Sequence, residues 1–356
     1  MRQQRDVDWD ELSLLARELG EPGRGPGSID REQWRGIETA LAILRDKQDW
    51  EGIVRLRGLF SSLIIGETAS GEPLVRELSK AAIQAAKQLG RKEEEAQFRH
   101  DRAHNLHRFG YHQEAIEEFE RASELYKGAG QGFKSVESYY MTALCHRALG
   151  DRGKARKVLA EVMDNIGDDA WRRNPMIVLA WLAQDDGEFE KAERLLRQAA
   201  RLTEQEEGEV SILLAQTLAD LGEIVSLLKR HEEAVSLFER SLKILHNFEG
   251  QYDRQEARTK LKLAEALSSD GQAERALELL DEADDKVRQY GHYYDLLWRI
   301  EMARAVTYLR QRRLGSAVKK IRAALDLRHE LGLPDAALAT QVVGRLRSGS
   351  YLSWSS

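Results

Sequence analysis

His100, His104 and His107 form the sharpest chemical cluster in the chain. At positions i, i+4 and i+7 they project from one face of a helix. Two histidines four residues apart can share a zinc ion, as a metal-dependent hydrolase would require. The third lies roughly 10 Å along the axis from the first at ~1.5 Å rise per residue, too far for one tetrahedral ion. No cysteine is near them in sequence, and no glutamate follows His100 in the His-Glu-x-x-His manner. The three rings therefore read as a polar stripe that contacts a ligand, with no metal and no cofactor.

Other motifs reduce to structure. The run GAGQGFKS, from Gly128 to Ser135, is the nearest approach to a phosphate-binding loop. That loop needs lysine directly after its last glycine, and a strand before it. Phe133 intervenes here and the segment joins two helices, so it reads as a connector. Cys145 and His146 are adjacent, hence about 100° apart on a helix, and cannot form a thiol–imidazole bond. Cys145 reads as a small packing residue. Glu93, Glu94 and Glu95, and Asp284 with Asp285, read as solvated surface acids, because paired catalytic acids need a shared cleft. No catalytic residue is assigned, and the chain reads as non-enzymatic.

The elements that position these residues recur. A helix, a turn carrying glycine or a charge, and a second helix with a small residue near its start repeat along the chain. The marker alanines are Ala115, Ala155, Ala192, Ala234, Ala276 and Ala317, so successive copies are 40, 37, 42, 42 and 41 residues apart. Each marker is followed four residues on by a larger side chain (Phe119, Leu159, Leu196, Phe238, Leu280, Ile321) and mostly by another small residue three further on. Positions i, i+4 and i+7 share a face, so small residues at its ends let a neighbouring helix approach and the large one fills the gap. Such a helix pair cannot cover its own apolar face, and neighbouring pairs must stack.

The runs LHRFGYHQEAIEEFERA, ALGDRGKARKVLAEV, DGEFEKAERLLRQAA and SDGQAERALELLDEA resemble the tetratricopeptide repeat, and Leu221-Gly222 keeps its Leu-Gly pair. The spacing is similar to that of the longer-helix subgroup, seen in kinesin light chains and in sensor regions of bacterial signalling proteins. The resemblance implies an all-α fold, a right-handed α-solenoid of stacked antiparallel helix pairs. It divides the chain into an N-terminal helix and Gly/Pro-rich linker (1–29), degenerate repeats (30–90), six repeats (91–332), a capping helix (333–347) and a disordered tail (348–356). The N-terminal helix either folds back or serves as an arm. Tyr351 and Trp354 in the tail are potential anchors for a partner or a second copy.

Composition narrows the function. Fifty-four Lys and Arg against 60 Asp and Glu leave a formal charge of −6, and only 5 prolines occur in 356 residues. Mean hydropathy is −0.54, with no apolar run near 18 residues, so no membrane span is expected. The charged N-terminus lacks the apolar core of a signal peptide, and a single cysteine suits a reducing, cytoplasmic setting. Net acidity disfavours nucleic acid. In the repeat register the inner face of the first helices would present His100, His104, His107 and Tyr140, then Trp181, then Asp220, Glu223 and Glu265, and finally Arg299 and Arg310. The inner positions hold His100, His104, Tyr140, Leu144, Ile177 and Trp181 in place of the Lys and Asn of the family's chaperone-tail clamp, which disfavours that ligand. The expectation is an adaptor, sensor or regulatory subunit that holds a protein or peptide segment in a concave groove, with a place in a bacterial signalling or defence complex and self-association both open to it. The competing classes are the metal-dependent hydrolase and a nucleic-acid or nucleotide-binding repeat protein.

Overall fold

The computed structural model describes residues 6–19, 31–61, 72–166, 169–248, 250, 252–290 and 294–330. The expected linker after residue 20, the capping helix and the tail with Tyr351 and Trp354 lie outside them. The described residues form sixteen α-helices and two short 3-10 turns, with no strand among them. They divide into two compact units, Met1–Trp171 and Arg172–Ser356.

The first unit holds α1 (Trp9–Leu19), α2 (Arg31–Asp46), α3 (Trp50–Leu59), α4 (Glu72–Gln88), α5 (Lys92–Arg108), α6 (His112–Gly128), α7 (Gly132–Ala148) and α8 (Arg152–Asn165). The N-terminal helix is folded back. Leu12 and Leu15 of α1 share a core with Ile37, Leu41, Ile53 and Leu56, and Lys47 pairs with Asp6 at 2.6 Å. The second unit holds α9 (Arg173–Asp185), α10 (Phe189–Glu207), α11 (Ile212–Leu227), α12 (His231–Leu245), α13 (Asp253–Ser269), α14 (Ala273–Tyr290), α15 (Tyr294–Arg310) and α16 (Leu314–Glu330). Within each unit consecutive helices pack against each other, so each is a solenoid of stacked helix pairs.

Helix ends are set locally. Asp49, Asp151 and Ser211 cap α3, α8 and α11, each side chain accepting a hydrogen bond from an amide three residues on. The turn inside each pair is closed by one device. A residue in the left-handed region lies five positions before the marker, and the next amide donates back to the carbonyl five residues earlier, as in Tyr111 to Leu106 at 2.8 Å. Gly110 supplies that conformation without strain, whereas Lys229 (φ 66°) and Arg312 (φ 58°) adopt it with a Cβ. Gln48 (φ 51°) stands in the same relation to Ile53, so the degenerate copy keeps the turn and has lost the alanine.

All six marker alanines are fully excluded from solvent, as are Phe119, Leu159, Leu196 and Leu280. The seam is tight at Gly222 too, where a Cβ would lie 2.9 Å from Phe238 Cε1. First helices are packed on two sides, and α11 buries Leu214, Ala215, Leu218, Leu221, Ile224 and Val225 around most of its circumference. Cα atoms of α11 and α13, and of α13 and α15, come within 8 Å of each other.

Two outcomes are expected. Ala192→Leu should overpack the seam by roughly 1–3 kcal/mol, read as a lowered urea midpoint. Lys229→Gly or Arg312→Gly should instead raise that midpoint, by about 1 kcal/mol, because each removes a Cβ from a left-handed turn.

Candidate functional site

The charged and aromatic residues expected on the first helices of the second unit do share one face. Trp181 on α9 donates its indole N–H to Asp220 Oδ2 on α11 at 2.9 Å. Asp220 also faces Arg258 of α13 at 3.7 Å. One turn further, Glu223 of α11 meets Lys262 of α13 at 3.4 Å, and Lys262 meets Glu265 on its own helix at 3.4 Å. On α15, Arg310 and Thr307 donate to Ser268 of α13 at 2.9 and 3.0 Å. Arg299 of α15 lies close enough to act electrostatically on Glu223 and Lys262. Trp181, Asp220, Glu223, Glu265, Arg299 and Arg310 are all half-buried, which places them at a surface and not in the apolar seam. The face is a band of laterally bonded polar groups crossing four helices.

Lys262 is the residue that sequence reading missed. It is only 9% exposed at its side chain, and burial works against its charge. Glu265 and then Glu223 outweigh that cost and hold its pKa above the ordinary lysine value. Burial likewise opposes ionisation of Glu223, but Lys262 and Arg258 keep its pKa low. The acids expected to await a basic partner therefore already carry the protein's own cations. The signal was present in the repeat length: Lys262 and Arg258 stand 39 and 38 residues after Glu223 and Asp220, one repeat on.

In the first unit the histidines point into packing. His100, 9% exposed, contacts Ser138 Oγ through Nδ1 at 2.9 Å, and its Nε2 lies 3.0 Å from His104 Nε2. Both rings meet Phe119 edge to face. His107 Nδ1 lies 3.2 Å from His112 Nδ1 and 3.4 Å from Cys145 Sγ. A nitrogen–nitrogen hydrogen bond needs one unprotonated partner, so at least one ring of each pair is neutral. Burial is the main cause that depresses His100 to about 4, His104 to about 3 and His107 to about 4, with Lys134, His100 and His112 respectively adding to it. Tyr140 is half-buried against the core of Ala103, Leu106 and Met141.

The absence of a cysteine near the histidines holds in sequence and fails in space, because α7 carries Cys145 to His107. Cys145 is nevertheless completely buried, and burial pushes its thiol up to about 12. It stays protonated at neutral pH and is no nucleophile. Two further readings are corrected. Glu95 is buried and paired with Arg99 at 2.9 Å, and Asp284 is paired with Arg304 and Arg288 at 2.9 and 2.7 Å, so neither is a solvated acid. Among the described residues no three of His, Cys, Asp and Glu stand where they could hold a metal ion.

Residues 177–247 and 213–283 match the family model of the tetratricopeptide repeat. No curated protein sequence matches the chain. Among solved structures, the apo form of the quorum sensor NprR from B. thuringiensis is similar at 16% identity and a TM-score of 0.59, over 89% of this chain and 86% of that one. A Rap protein complexed with Competence and Sporulation Factor is similar at 14% identity and 0.54, over 91% and 99%. BtubC from P. vanneervenii is similar at 19% identity and 0.52, over 62% of this chain and 90% of that one. Residues 177–283 thus match tetratricopeptide repeats, and the likenesses to the solved structures are likenesses of fold.

Lys262→Met leaves Glu223 and Glu265 without their cation and should cost about 3–5 kcal/mol in urea unfolding, whereas adding Glu223→Gln and Glu265→Gln should recover most of it. The histidines give a pH signature. Their folded pKa values lie below the unfolded 6.5, so the stability they permit is whole above pH 6.5 and is lost as pH falls toward 4. Each contributes a slope of up to ~1.4 kcal/mol per pH unit, and His104→Phe should flatten the decline between pH 6 and 5.

Proposed function

We propose that the protein is a non-enzymatic interaction module that holds a peptide or protein segment along the first helices of its repeats. The observation that carries this reading is the polar band from Trp181 to Arg310. First helices packed on two sides expose one strip, and that strip holds an aromatic ring and ordered hydrogen-bonding groups instead of loose surface lysines and glutamates. Its hydrogen-bond geometry is already fixed, which lowers the ordering cost of binding. In the first unit His104 and Tyr140, both half-buried, are the corresponding contacts, while His100 is buried behind His104.

The band alternates in sign, so it selects direction and register in a partner more than it attracts bulk charge. A nucleic-acid groove would need a continuous basic lining. Acidic residues interrupt the lining here. The similarity to a quorum sensor and to a Rap protein complexed with a factor supports a sensor, and the likeness to a Rap conjugation gene regulator in complex with the Phr* peptide supports a peptide as its stimulus. An adaptor or regulatory subunit of a bacterial signalling complex uses the same surface. No helix among the described residues is long and apolar enough to cross a membrane, and the reduced, buried Cys145 is compatible with work in the cytoplasm.

Photo-crosslinking in the expressing cells tests this reading. A benzophenone side chain at Trp181 or Glu265 should capture a partner, and one at Glu239 on the second helices should not. With the captured segment in hand, Trp181→Ala should cost ~2 kcal/mol of binding with an unaltered melt. Capture from Glu239 alone would move the site to the opposite face and remove the proposal.

A further inference from the structure

We propose that one internal water molecule is held between α4 and α5, where it bridges Ser79, Arg102 and Asn105. These three side chains line one small cavity together with the apolar Val75, Leu106 and Phe109. Val75 and Ser79 stand four residues apart on α4, and Arg102, Asn105 and Leu106 stand at i, i+3 and i+4 on α5. Each set therefore shares one face of its helix, and the two helices pack against each other. Each polar member carries an atom without a hydrogen-bond partner: Ser79 Oγ, Arg102 Nε and Asn105 Nδ2. None of the three reaches the surface, for Ser79 is 1% exposed, Asn105 5%, and the Arg102 side chain 11%. Buried polar groups in folded proteins are satisfied, and ordered water does so where no protein group can reach. Three orphaned groups around one cavity call for one shared partner.

Size and charge select that partner. The cavity offers about 10 Å³, room for one water-sized sphere and too little for an oxyanion or an organic group. A monatomic anion is the rival of comparable size, and the local charges decide against it. Arg76 and Arg102 approach Glu114 at 3.8 and 3.7 Å, and Arg102 also pairs with Glu118. Arg99 pairs with Glu118 at 2.7 Å and with Glu95 at 2.9 Å. Three guanidinium groups thus face three carboxylates, and no surplus cation is left for a chloride. Residues 62–71, which lie outside the described chain, carry one charged side chain, the acid Glu67, so they bring no cation either. Water suits the groups as they stand. Its oxygen accepts from Arg102 Nε–H and from Asn105 Nδ2–H, and one of its protons goes to Ser79 Oγ. Three bonds is the usual number for a buried water. The bridge lets Arg102, which ties α5 to α6 through Glu118, stay buried beside α4 with every donor used.

Crystals of the full chain grown with bromide as the only halide, with data collected at the bromine absorption edge, test the site. A single peak within hydrogen-bond distance of Ser79 Oγ, Arg102 Nε and Asn105 Nδ2, without anomalous signal, is the expected result. An anomalous peak there would assign the cavity to a halide ion, and the three atoms paired to protein groups with no peak between them would remove the ligand. Either outcome overturns the proposal. Solution NMR of the unaltered chain supplies a readout that depends on no crystal. The Asn105 side-chain amide should show a rotating-frame Overhauser cross-peak to water, opposite in sign to proton exchange and of the intensity given by a molecule that tumbles with the protein. A cross-peak of exchange sign alone, or none, would refute the bridge.

Discussion

The molecule depends on one steric constraint: a first and a second helix come so close that mostly small residues, above all alanine, stand between them. Ala192 and Ala199, or Ala276 and Ala283, are buried without residue of exposure because a neighbouring helix lies directly over them. That closeness seals an apolar seam no single pair could cover. It also sets where everything else can stand. With the seam on one side and the preceding pair on another, a first helix keeps a narrow strip for polar groups, and successive strips fall within bonding distance of each other. Trp181 reaches Asp220, Glu223 reaches Lys262 and Ser268 meets Thr307 because each partner lies one repeat further along the chain.

The seam was legible in the sequence because it is written in residue size at fixed spacing. Small residues at 115, 155, 192, 234, 276 and 317 cannot be explained by anything but close approach, and the structure buries every one. The strip was legible only as a set of positions. Its electrostatics were not, since a charge acquires its meaning from a neighbour some 39 residues away, and the reading of Glu223 and Glu265 considered their own helices alone. The same omission hid the contact of His107 with Cys145 and the cover that Arg304 gives Asp284, whereas Glu95 is covered by Arg99 of its own helix. Spacing along one helix shows which face a side chain takes. What covers that face is decided by the next pair.

The functional account follows from the same division. The histidines that first suggested metal chemistry are bonded in pairs, His100 with His104 and His107 with His112, and packed against Ser138, Phe119 and Cys145. The band of the second unit alternates in charge and is bonded from helix to helix. The fold itself hosts many partners. In the proposed function, recognition rests on the few polar residues that the close-packed helices leave at the surface.

The central claim is that the seam and the polar band are one mechanical unit. Amide hydrogen exchange on Ala234→Leu tests it most directly, because that alanine lies on α12 and touches nothing in the band by sequence. If the account holds, protection falls in α12 and also in α11 and α13, the helices that carry Asp220, Glu223 and Lys262. Loss of protection confined to α12, with α11 and α13 as slow as in the unaltered chain, would contradict it.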